Sequence, residues 1–296
     1  MSKCRGNLQW LEGVLAVDLA REHNRLTFRR DPFGMTMTIQ NQADNQVNAD
    51  ETVWDRGRLE AVHTQADKSQ RVRRMFDSIA PTYERINTLF SGGRDRQWRK
   101  RTVEIAGVRR GDSILDIACG TGDLLRAFGA GAVGPGQLTG ADFSLGMLRH
   151  AVNSDAPSAH WLQADGLSLP FANETFDITS CAFGVRNFQD LDTGLREMHR
   201  VLKPGGRAVI LEFTRPANRL IRIVHEFYSA RLMPLGARML SRDRTGAYSY
   251  LPKSVVSFVD AGTMCSKLKS AGFARASATP LTFGVVTVYR ADKVAT

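Results

Sequence analysis

The first residues whose types and spacing could do chemistry lie in the stretch SILDIACGTGDLLRAFG, residues 113–129. An apolar run is followed there by the glycine turn Gly120-Thr121-Gly122 and then by a second, helix-like apolar run. Glycines in such a turn let a ligand approach the backbone closely. A dinucleotide-binding loop needs a third glycine shortly after the turn, and a P-loop needs a following lysine. Neither follows here, so the turn favours a small ligand without a pyrophosphate.

Further polar groups follow at the ends of the next two predicted strands. Asp142 ends the strand in TGADFS, where a carboxylate can accept hydrogen bonds from both hydroxyls of a ribose. Asp165 and Gly166 end the strand in HWLQADG, where an adenine amino group can bind. Together with the glycine turn, these residues predict a site for an adenosine moiety. The alternative is that Asp116, Asp142 and Asp165 only cap turns.

Alternating strand and helix patterns surround these residues. The predicted strands are Ile114–Ala118, GQLTGADFS, HWLQADG, FDITSCAFGV and RAVILEFT, followed near the end by two closing strands. The predicted helices include one that Pro81 ends, one from Arg94, one over Leu124–Phe128, one over DTGLREMHRVL that KPGG stops, and one that Gly272 ends. This alternation predicts a mostly parallel α/β sheet whose ligands bind at the carboxyl ends of its strands.

The composition is that of an ordinary globular protein. The 296 residues are 43% hydrophobic and 24% charged, and no window has the apolar length of a membrane span. The four cysteines, which are Cys4, Cys119, Cys181 and Cys265, form no C-x-x-C pair, so neither a metal site nor a disulfide framework is expected. Glu12 and Asp18 interrupt the apolar stretch near the start, which argues against a secretory signal. We therefore expect a cytoplasmic protein.

Charge divides the chain into two regions. Residues 1–67 hold 8 basic and 10 acidic residues, whereas residues 68–296 hold 32 and 20. The excess positive charge either serves solubility or attracts an anionic surface such as lipid headgroups. No basic run and no aromatic-basic signature indicates nucleic-acid binding, so a nucleic-acid partner is not expected.

Residues 1–67 are expected to form a disordered extension ahead of a domain at residues 68–296. The segment MTMTIQNQADNQVNADETVWDRGR is polar and lacks periodic apolar residues, so it buries too little surface to offset its ordering entropy. The composition changes abruptly at Met35. This suggests the hypothesis that the natural start is Met35 or Met37.

An ordered set of motifs resembles a known enzyme family. LDIACGTGD, ADFSLGML, QADGLSLPF, FDITSCAFGVRN and MHRVLKPGGRAVILEF resemble the class I S-adenosylmethionine-dependent methyltransferases in order and spacing. FDSIAPTYERIN, FGVRN, LEFTRP and YSYLPKSVVSF further resemble the UbiE/MenG family of quinone C-methyltransferases, over about residues 68–293. The resemblance implies a Rossmann-like, seven-stranded, mostly parallel sheet with helices on both faces.

The resemblance also implies the ligands. S-adenosylmethionine is the expected cofactor, and the positions carried over to this chain are Gly120, Thr121, Asp142, Asp165 and Gly166. The expected reaction is C-methylation of a prenylated demethylmenaquinol to menaquinol. The alternative substrate is the 2-methoxy-6-polyprenyl-1,4-benzoquinol of ubiquinone biosynthesis. An NAD-dependent dehydrogenase and a non-catalytic binding module are the rival classes, and the missing third glycine disfavours the first.

Arg186 and Asn187 in FGVRN are the expected catalytic residues. Arg186 can stabilise a developing phenolate as a fixed cation, and Asn187 can hold a hydroxyl group or a water molecule. Arginine keeps its proton, so a water molecule held by these two residues, or His225, is the better candidate base. The alternative interpretation of Arg186 is a surface salt-bridge partner.

Residues 215–250 are expected to form a substrate-covering insert. Its apolar positions recur at helical spacing with arginines between them, which fits either a lid for an isoprenoid tail or a helix packed on the core. In the first case the arginines can meet lipid phosphates, which predicts peripheral contact with the inner face of a membrane. The residues expected to contact the substrate are Tyr83, His225, Tyr228 and Tyr250. A homo-oligomer is compatible with the sequence.

Overall fold

The computed structural model describes residues 25–31, 34–40, 53–54, 59, 62, 66–131, 133–153, 159–227 and 246–295, with the backbone alone for 25–40, 224–227 and 248. The chain divides into two compact units, Met1–Ala49 and Asp50–Thr296. The second unit contains all of the predicted site residues that the structure describes.

The first unit contains a β-hairpin. Strand β1 (Arg25–Asp31) pairs antiparallel with β2 (Gly34–Gln40), with Arg25 opposite Gln40. The prediction that this region lacks regular elements is therefore wrong for the two strands, whose alternating threonine and apolar residues suit a pleated surface. Met35 and Met37 lie inside β2, so a chain that started at either would lack β1. For the rest of residues 1–49, which lie outside the described residues, disorder stays a prediction.

The second unit is built on a seven-stranded sheet with the strand order β5-β4-β3-β6-β7-β9-β8. Only pairs that involve β9 are antiparallel, and the other pairs are parallel. The strands are β3 (Ile114–Ile117), β4 (Leu138–Asp142), β5 (Ala159–Gln163), β6 (Phe176–Ala182), β7 (Leu202–Phe213), β8 (Arg275–Leu281) and β9 (Val286–Asp292). This confirms the predicted class of sheet.

Helices cover both faces of the sheet. Leu115 and Ile117 of β3 pack in one apolar cluster, and Ile114 of the same strand packs in another on the opposite face. All four residues of β3 are buried, which fits its composition of three apolar residues and one acid, Asp116. The helices are α1 (Lys68–Ile79), α2 (Tyr83–Ser91), α3 (Arg94–Ala106), α4 (Asp123–Gly129), α5 (Leu145–Val152), α6 (Leu191–Arg200), α7 (Arg219–Phe227), α8 (Ala247–Val256) and α9 (Ala261–Ser270).

The end of α6 differs from the sequence prediction. The helix ends at Arg200 with Val201 as its C-cap, before Pro204, and β7 already begins at Leu202. The KPGG segment therefore lies inside the strand, where the pairing with β6 shifts register between Phe176 and Ile178. Proline and glycine are tolerated at such a bulge because ladder hydrogen bonds are interrupted there.

The second unit begins earlier than residue 68. Trp54, Leu59 and Val62 are buried, and they pack in one cluster with residues of α1 and α2. The rings of Trp54 and Tyr250 lie 4.4 Å apart between centroids. These apolar side chains stand singly in a polar stretch, so periodicity gives no sign of them, although burial makes them part of the core.

The predicted insert at 215–250 is described at its two ends. In α7, Leu220 is 74% exposed and Ile223 is 53% exposed, whereas the side chains from Val224 onward lie outside the described residues, so both interpretations of this helix stay open. Residues 228–245 lie outside the described residues, so the substrate-covering role stays a prediction. Among the described residues, no helix combines the length and apolar character needed to cross a bilayer.

Candidate active site

The glycine turn connects β3 to α4 at the carboxyl end of the sheet. Gly120 and Gly122 have φ values of 56° and 88°, in the left-handed region that favours glycine. A Cβ atom on Gly122 would lie 2.6 Å from the ring of Trp161, so packing excludes a side chain there. A Cβ atom on Gly120 would meet nothing within 4 Å, so open space adjoins the backbone at this residue.

Asp142 stands next to that open space at the end of β4. Its carboxylate accepts hydrogen bonds of 2.7 Å from the backbone N–H of Gly120 and of 2.7 Å from that of Ser144. Burial raises its pKa to about 6 against the opposing effect of these two donors. A carboxylate has about four acceptor positions, so this one can still accept hydrogen bonds from a ligand.

A cavity at the strand ends joins most of the predicted cofactor residues, and we call it the cofactor cavity. Gly120, Asp142, Asp165 and Gly166 all line it. Its remaining wall comes largely from α1, the turn after β6 and the start of α5, through Ser69, Val72, Arg73, Phe76, Tyr83, Phe143, Ser144, Met147, Phe183, Asn187 and Phe188. Thr121 is buried but does not line this cavity, so the structure separates it from the other predicted cofactor residues.

Two of the three acids also cap turns, which was the alternative interpretation of their role. Asp165 accepts a 2.9 Å hydrogen bond from the N–H of Leu167, and Asp142 accepts one from Ser144, as capping residues do. Both nevertheless line the cofactor cavity. Asp116 does not, because it is buried between strands and accepts a 2.7 Å hydrogen bond from the Ser180 hydroxyl. Burial raises the pKa of Asp116 to about 7.

Arg186 lies in a short 3₁₀ turn (Val185–Asn187) after β6. Its Nη1 donates hydrogen bonds of 2.6 Å to a carboxylate oxygen of Glu212 and of 2.6 Å to the carbonyl of Phe183. Arg186 is 2% exposed and Glu212 is fully buried, so the pair is an interior ion pair, not the surface salt bridge of the alternative interpretation. The sequence analysis missed Glu212. Its position as an acid near the end of a predicted apolar strand could have indicated a buried partner for a cation.

Asn187 is held from two sides. Its Nδ2 donates a 3.3 Å hydrogen bond to the carbonyl of Phe183, and its Oδ1 accepts a 2.9 Å hydrogen bond from the Tyr250 hydroxyl. Tyr250 therefore contacts a residue of the cofactor cavity wall without lining that cavity itself, and its predicted contact with substrate stays a prediction. Burial raises the pKa of Tyr250, so the hydroxyl keeps its proton and fixes the orientation of the Asn187 amide.

Lys68, the first residue of α1, is a site residue that the sequence analysis missed. Its Nζ donates hydrogen bonds of 3.0 Å to the carbonyl of Arg186 and of 2.5 Å to that of Phe188. The residue is 2% exposed, and burial, followed by the charge of Arg186, lowers its pKa to about 8. Lysine at a helix start is normally solvated, so nothing in the sequence pattern indicates this contact.

A second, larger cavity of about 740 Å³ adjoins the first, and we call it the apolar cavity. Aromatic side chains form much of its wall, and Arg186 also lines it. Tyr83 and Phe183 line both cavities, so they mark where two ligands can meet. Burial raises the pKa of Tyr83, which therefore stays protonated at neutral pH. The side chain of His225 and the whole of Tyr228 lie outside the described residues, so their predicted roles stay predictions.

The arrangement suits transfer of a group between two ligands of different polarity. One cavity offers a carboxylate and backbone groups that fit an adenosine moiety, and the other offers an apolar volume large enough for a ring with a hydrocarbon chain. The described residues contain no cluster of three or more histidine, cysteine or acidic side chains that could hold a metal ion.

Sequence comparison finds a methyltransferase family along most of the chain. A model of the ubiE/COQ5 methyltransferase family matches residues 64–293. A protein of Teredinibacter turnerae, named ubiquinone/menaquinone biosynthesis C-methyltransferase UbiE, is 39% identical over 77% of this chain and 93% of its own length. A protein of the same name from Pseudomonas putida strain F1 is 40% identical over 77% of this chain and 91% of its own length.

Structural comparison supports the fold. A SAM-dependent methyltransferase of Thermotoga maritima superposes with a TM-score of 0.52, covering 75% of this chain and 99% of its own. At 16% identity this likeness shows the architecture alone.

Proposed function

Because the chain belongs to the ubiE/COQ5 methyltransferase family, we propose that it methylates a ring carbon of a prenylated quinol. The methyl donor of the family is S-adenosylmethionine, and the chain is a methyltransferase. The observation that carries the substrate proposal is the shared wall of Tyr83 and Phe183 between a cavity fit for adenosine and an apolar cavity of about 740 Å³.

The residues of the cofactor cavity fit S-adenosylmethionine. The ionised Asp142 can accept hydrogen bonds from the ribose hydroxyls, and the open space beside Gly120 admits the ligand close to the backbone. Asp165 and Gly166 line the same cavity where an adenine ring can bind. The bound cofactor supplies a methyl group on a positively charged sulfur atom, so the protein needs chiefly to orient the reactants and exclude water.

The residues around the apolar cavity then favour ionisation of the quinol. A ring carbon becomes a good nucleophile when the neighbouring hydroxyl loses its proton, so the reduced quinol is the proposed substrate. Arg186 lines the cavity, and Glu212 keeps its cation in place. We propose that this cation stabilises the phenolate. We propose a water molecule held by Arg186 and Asn187 as the proton acceptor.

The ring of the quinol is the finer part of the proposal. The relatives are named for ubiquinone as well as menaquinone, so the preference for demethylmenaquinol in the sequence analysis gains no support over its alternative. We therefore propose 2-methoxy-6-polyprenyl-1,4-benzoquinol as the first substrate to test and demethylmenaquinol as the second. Because both substrates carry a prenyl tail, we also propose that the protein works at the inner face of a membrane.

A methyl-transfer assay with labelled S-adenosylmethionine tests this proposal. Each reduced quinol is offered separately in detergent, with its oxidised quinone as the matched negative control. Transfer to the benzoquinol alone assigns the ubiquinone step, and transfer to both assigns a dual enzyme. Transfer to neither quinol, with cofactor binding intact, contradicts the quinol proposal and leaves the family assignment standing.

A further inference from the structure

The turn between β8 and β9 holds a strained backbone and an exposed aromatic ring. Thr282, Phe283 and Gly284 have φ values of 46°, 57° and 84°. Positive φ is unfavourable for a bulky or β-branched residue and persists only where the surroundings impose it. Phe283 is nevertheless 79% exposed, so the strain does not serve to bury its ring.

The strained turn is anchored to the wall of the apolar cavity. Trp98 Nε1 donates a 2.8 Å hydrogen bond to the Thr282 hydroxyl, and the Thr214 hydroxyl donates one of 2.9 Å to the carbonyl of Gly284. Trp98 and Thr282 both line the cavity. Phe283 therefore projects outward from a fixed position directly beside the cavity.

Other apolar side chains are exposed nearby along the cavity wall. Val256, which lines the cavity, is 48% exposed, whereas Pro216, which also lines it, is buried against the turn at Gly284. Helix α7 begins three residues after Pro216 and exposes Leu220 and Ile223. Apolar side chains that are exposed together around a cavity mark an interaction site more often than singly scattered ones do.

The charges at the same place are positive. Arg94, Arg215 and Lys253 line the apolar cavity and are exposed. The acid among the described lining residues is Asp95, which is buried and paired with Arg99 at 2.6 Å. The mouth of the cavity thus combines exposed apolar tips with cations and suits a surface that is apolar inside and anionic outside.

We infer that Phe283, with Val256, Leu220 and Ile223, docks the mouth of the apolar cavity onto an anionic lipid bilayer. Phe283 enters the acyl region, and Arg94, Arg215 and Lys253 meet lipid phosphates. The inference rests on the proposed function, because a prenylated substrate is dissolved in the bilayer and needs a route into the cavity that avoids water. A rigid turn suits this role, since a preordered anchor loses little entropy on insertion.

Vesicle flotation tests the inference with the full chain. Vesicles of phosphatidylcholine, with and without about one third phosphatidylglycerol, are mixed with the wild-type protein, Phe283→Ser and Val294→Ser. Val294 is a matched control, because it is 54% exposed but lies beside Gly205 at the opposite end of β7. We expect binding to the anionic vesicles, a loss of about tenfold in partitioning for Phe283→Ser, and no change for Val294→Ser.

Enzyme assays separate this inference from the proposed function. Phe283→Ser is expected to methylate a short-tailed, water-soluble quinol at the wild-type rate, and a long-tailed quinol embedded in anionic vesicles several-fold more slowly. Wild-type protein that methylates the soluble quinol but does not bind vesicles would overturn the docking surface and leave the proposed function standing. Vesicle binding without methylation of either quinol would overturn the proposed function and leave the docking surface standing.

Protein–protein contact is the competing use of this surface. If the wild-type protein is a dimer that Phe283→Ser dissociates, with no binding of either protein to vesicles, the surface is a subunit interface and the lipid inference is wrong. Light scattering in the absence of lipid gives this answer.

Discussion

At the scale of single residues, buried side chains hold the turn that contains Arg186 and Asn187. Glu212 pairs with Arg186, and Lys68 donates a hydrogen bond to the Arg186 carbonyl. Asp142 stands at the cofactor cavity, where two backbone N–H groups donate to its carboxylate. Burial brings the pKa of Asp142 to about 6 and that of Lys68 to about 8, so both groups should make properties of the protein depend on pH.

Cofactor binding should depend on the protonation of Asp142. Its pKa is raised to about 6 in the free protein, and the ribose hydroxyls donate to the ionised form. The affinity for S-adenosylmethionine is therefore expected to be constant above pH 6 and to fall by up to about tenfold for each pH unit below it. Calorimetric titration between pH 5 and pH 8 measures this.

The matched variant for that titration is Asp142→Asn. It should bind S-adenosylmethionine about 1–3 kcal/mol more weakly at pH 7, because its neutral amide satisfies the ribose hydroxyls poorly. Its affinity should also vary little between pH 5 and pH 8. A flat profile for the wild-type protein would show that the ribose does not bind at this carboxylate.

Deprotonation of Lys68 should make the stability of the folded chain depend on pH. Its pKa is lowered to about 8 in the folded chain, against an ordinary value of 10.5. Between these two values the unfolded state binds more protons, so this group makes the free energy of unfolding rise with pH from about 8 to 10.5. Chemical denaturation of wild type and Lys68→Met across this range measures the difference.

Lys68→Met should lack that rise and should also slow methyl transfer, because the carbonyls of Arg186 and Phe188 lose a charged donor. Lys100→Met, on the exposed face of α3, is the control and should match the wild type in both measurements. A pH dependence equal to the wild type's in Lys68→Met would assign the rise to another group.

The residues around the cofactor cavity were more predictable than the groups that hold the Arg186 turn. Asp142, Asp165 and Gly166 follow predicted strands, where chain order alone indicates a ligand, and the structure places them around one cavity. Lys68 and Glu212 gave no such signal, because each acts on Arg186, which lies more than 25 residues away along the chain.

At the scale of elements, periodicity located helices and strands but not their contacts or irregular ends. The seven strands from residue 114 onward were predicted correctly, whereas the helices α5 and α8 were not predicted. The KPGG segment was assigned to a helix stop because proline and glycine normally end helices, whereas here they occupy a bulge inside β7. A bulge is set by the neighbouring strand, which local propensity does not reveal.

Gly194 shows how one helix limits the cofactor cavity. A Cβ atom at this position in α6 would lie 2.3 Å from Cδ2 of Phe188, whose ring lines the cavity. Gly194→Ala normally stabilises a helix by about 1 kcal/mol, but here the ring must move. We expect a lower melting temperature and several-fold weaker binding of S-adenosylmethionine, measured by thermal unfolding and calorimetry.

The control for this variant is Gly262→Ala in α9, where the nearest atom to a new Cβ is an oxygen of the Asp260 side chain at 3.3 Å. It should leave cofactor affinity unchanged. Equal affinities for wild type and Gly194→Ala would mean that Phe188 does not limit the space available to the cofactor.

At the scale of the whole molecule, the sheet could be predicted and the domain boundary could not. The seven-stranded sheet with helices on both faces was implied by motifs that keep the family's order along most of the chain, and the structure has this sheet. The boundary depended on Trp54, Leu59 and Val62, three separate apolar residues whose burial only the folded unit reveals.

Truncation tests that boundary. A chain beginning at residue 50 should unfold at the temperature of the full chain, since it keeps the whole second unit. A chain beginning at residue 64 should be less stable by several kcal/mol, because burying each large apolar side chain contributes about 1.5–3 kcal/mol. Equal stability of the two truncated chains, by chemical denaturation, would show that these three side chains do not stabilise the fold.

The position of β9 also has a consequence during protein synthesis. This strand is the last of the sheet along the chain, yet it lies between β7 and β8 and pairs with β7 along seven residues. Until Val286–Asp292 has left the ribosome, the nascent chain presents β7 as an open strand edge. Such an edge can pair with other chains, so the sheet is complete only after β9 has emerged, and the nascent chain is open to wrong pairing until then.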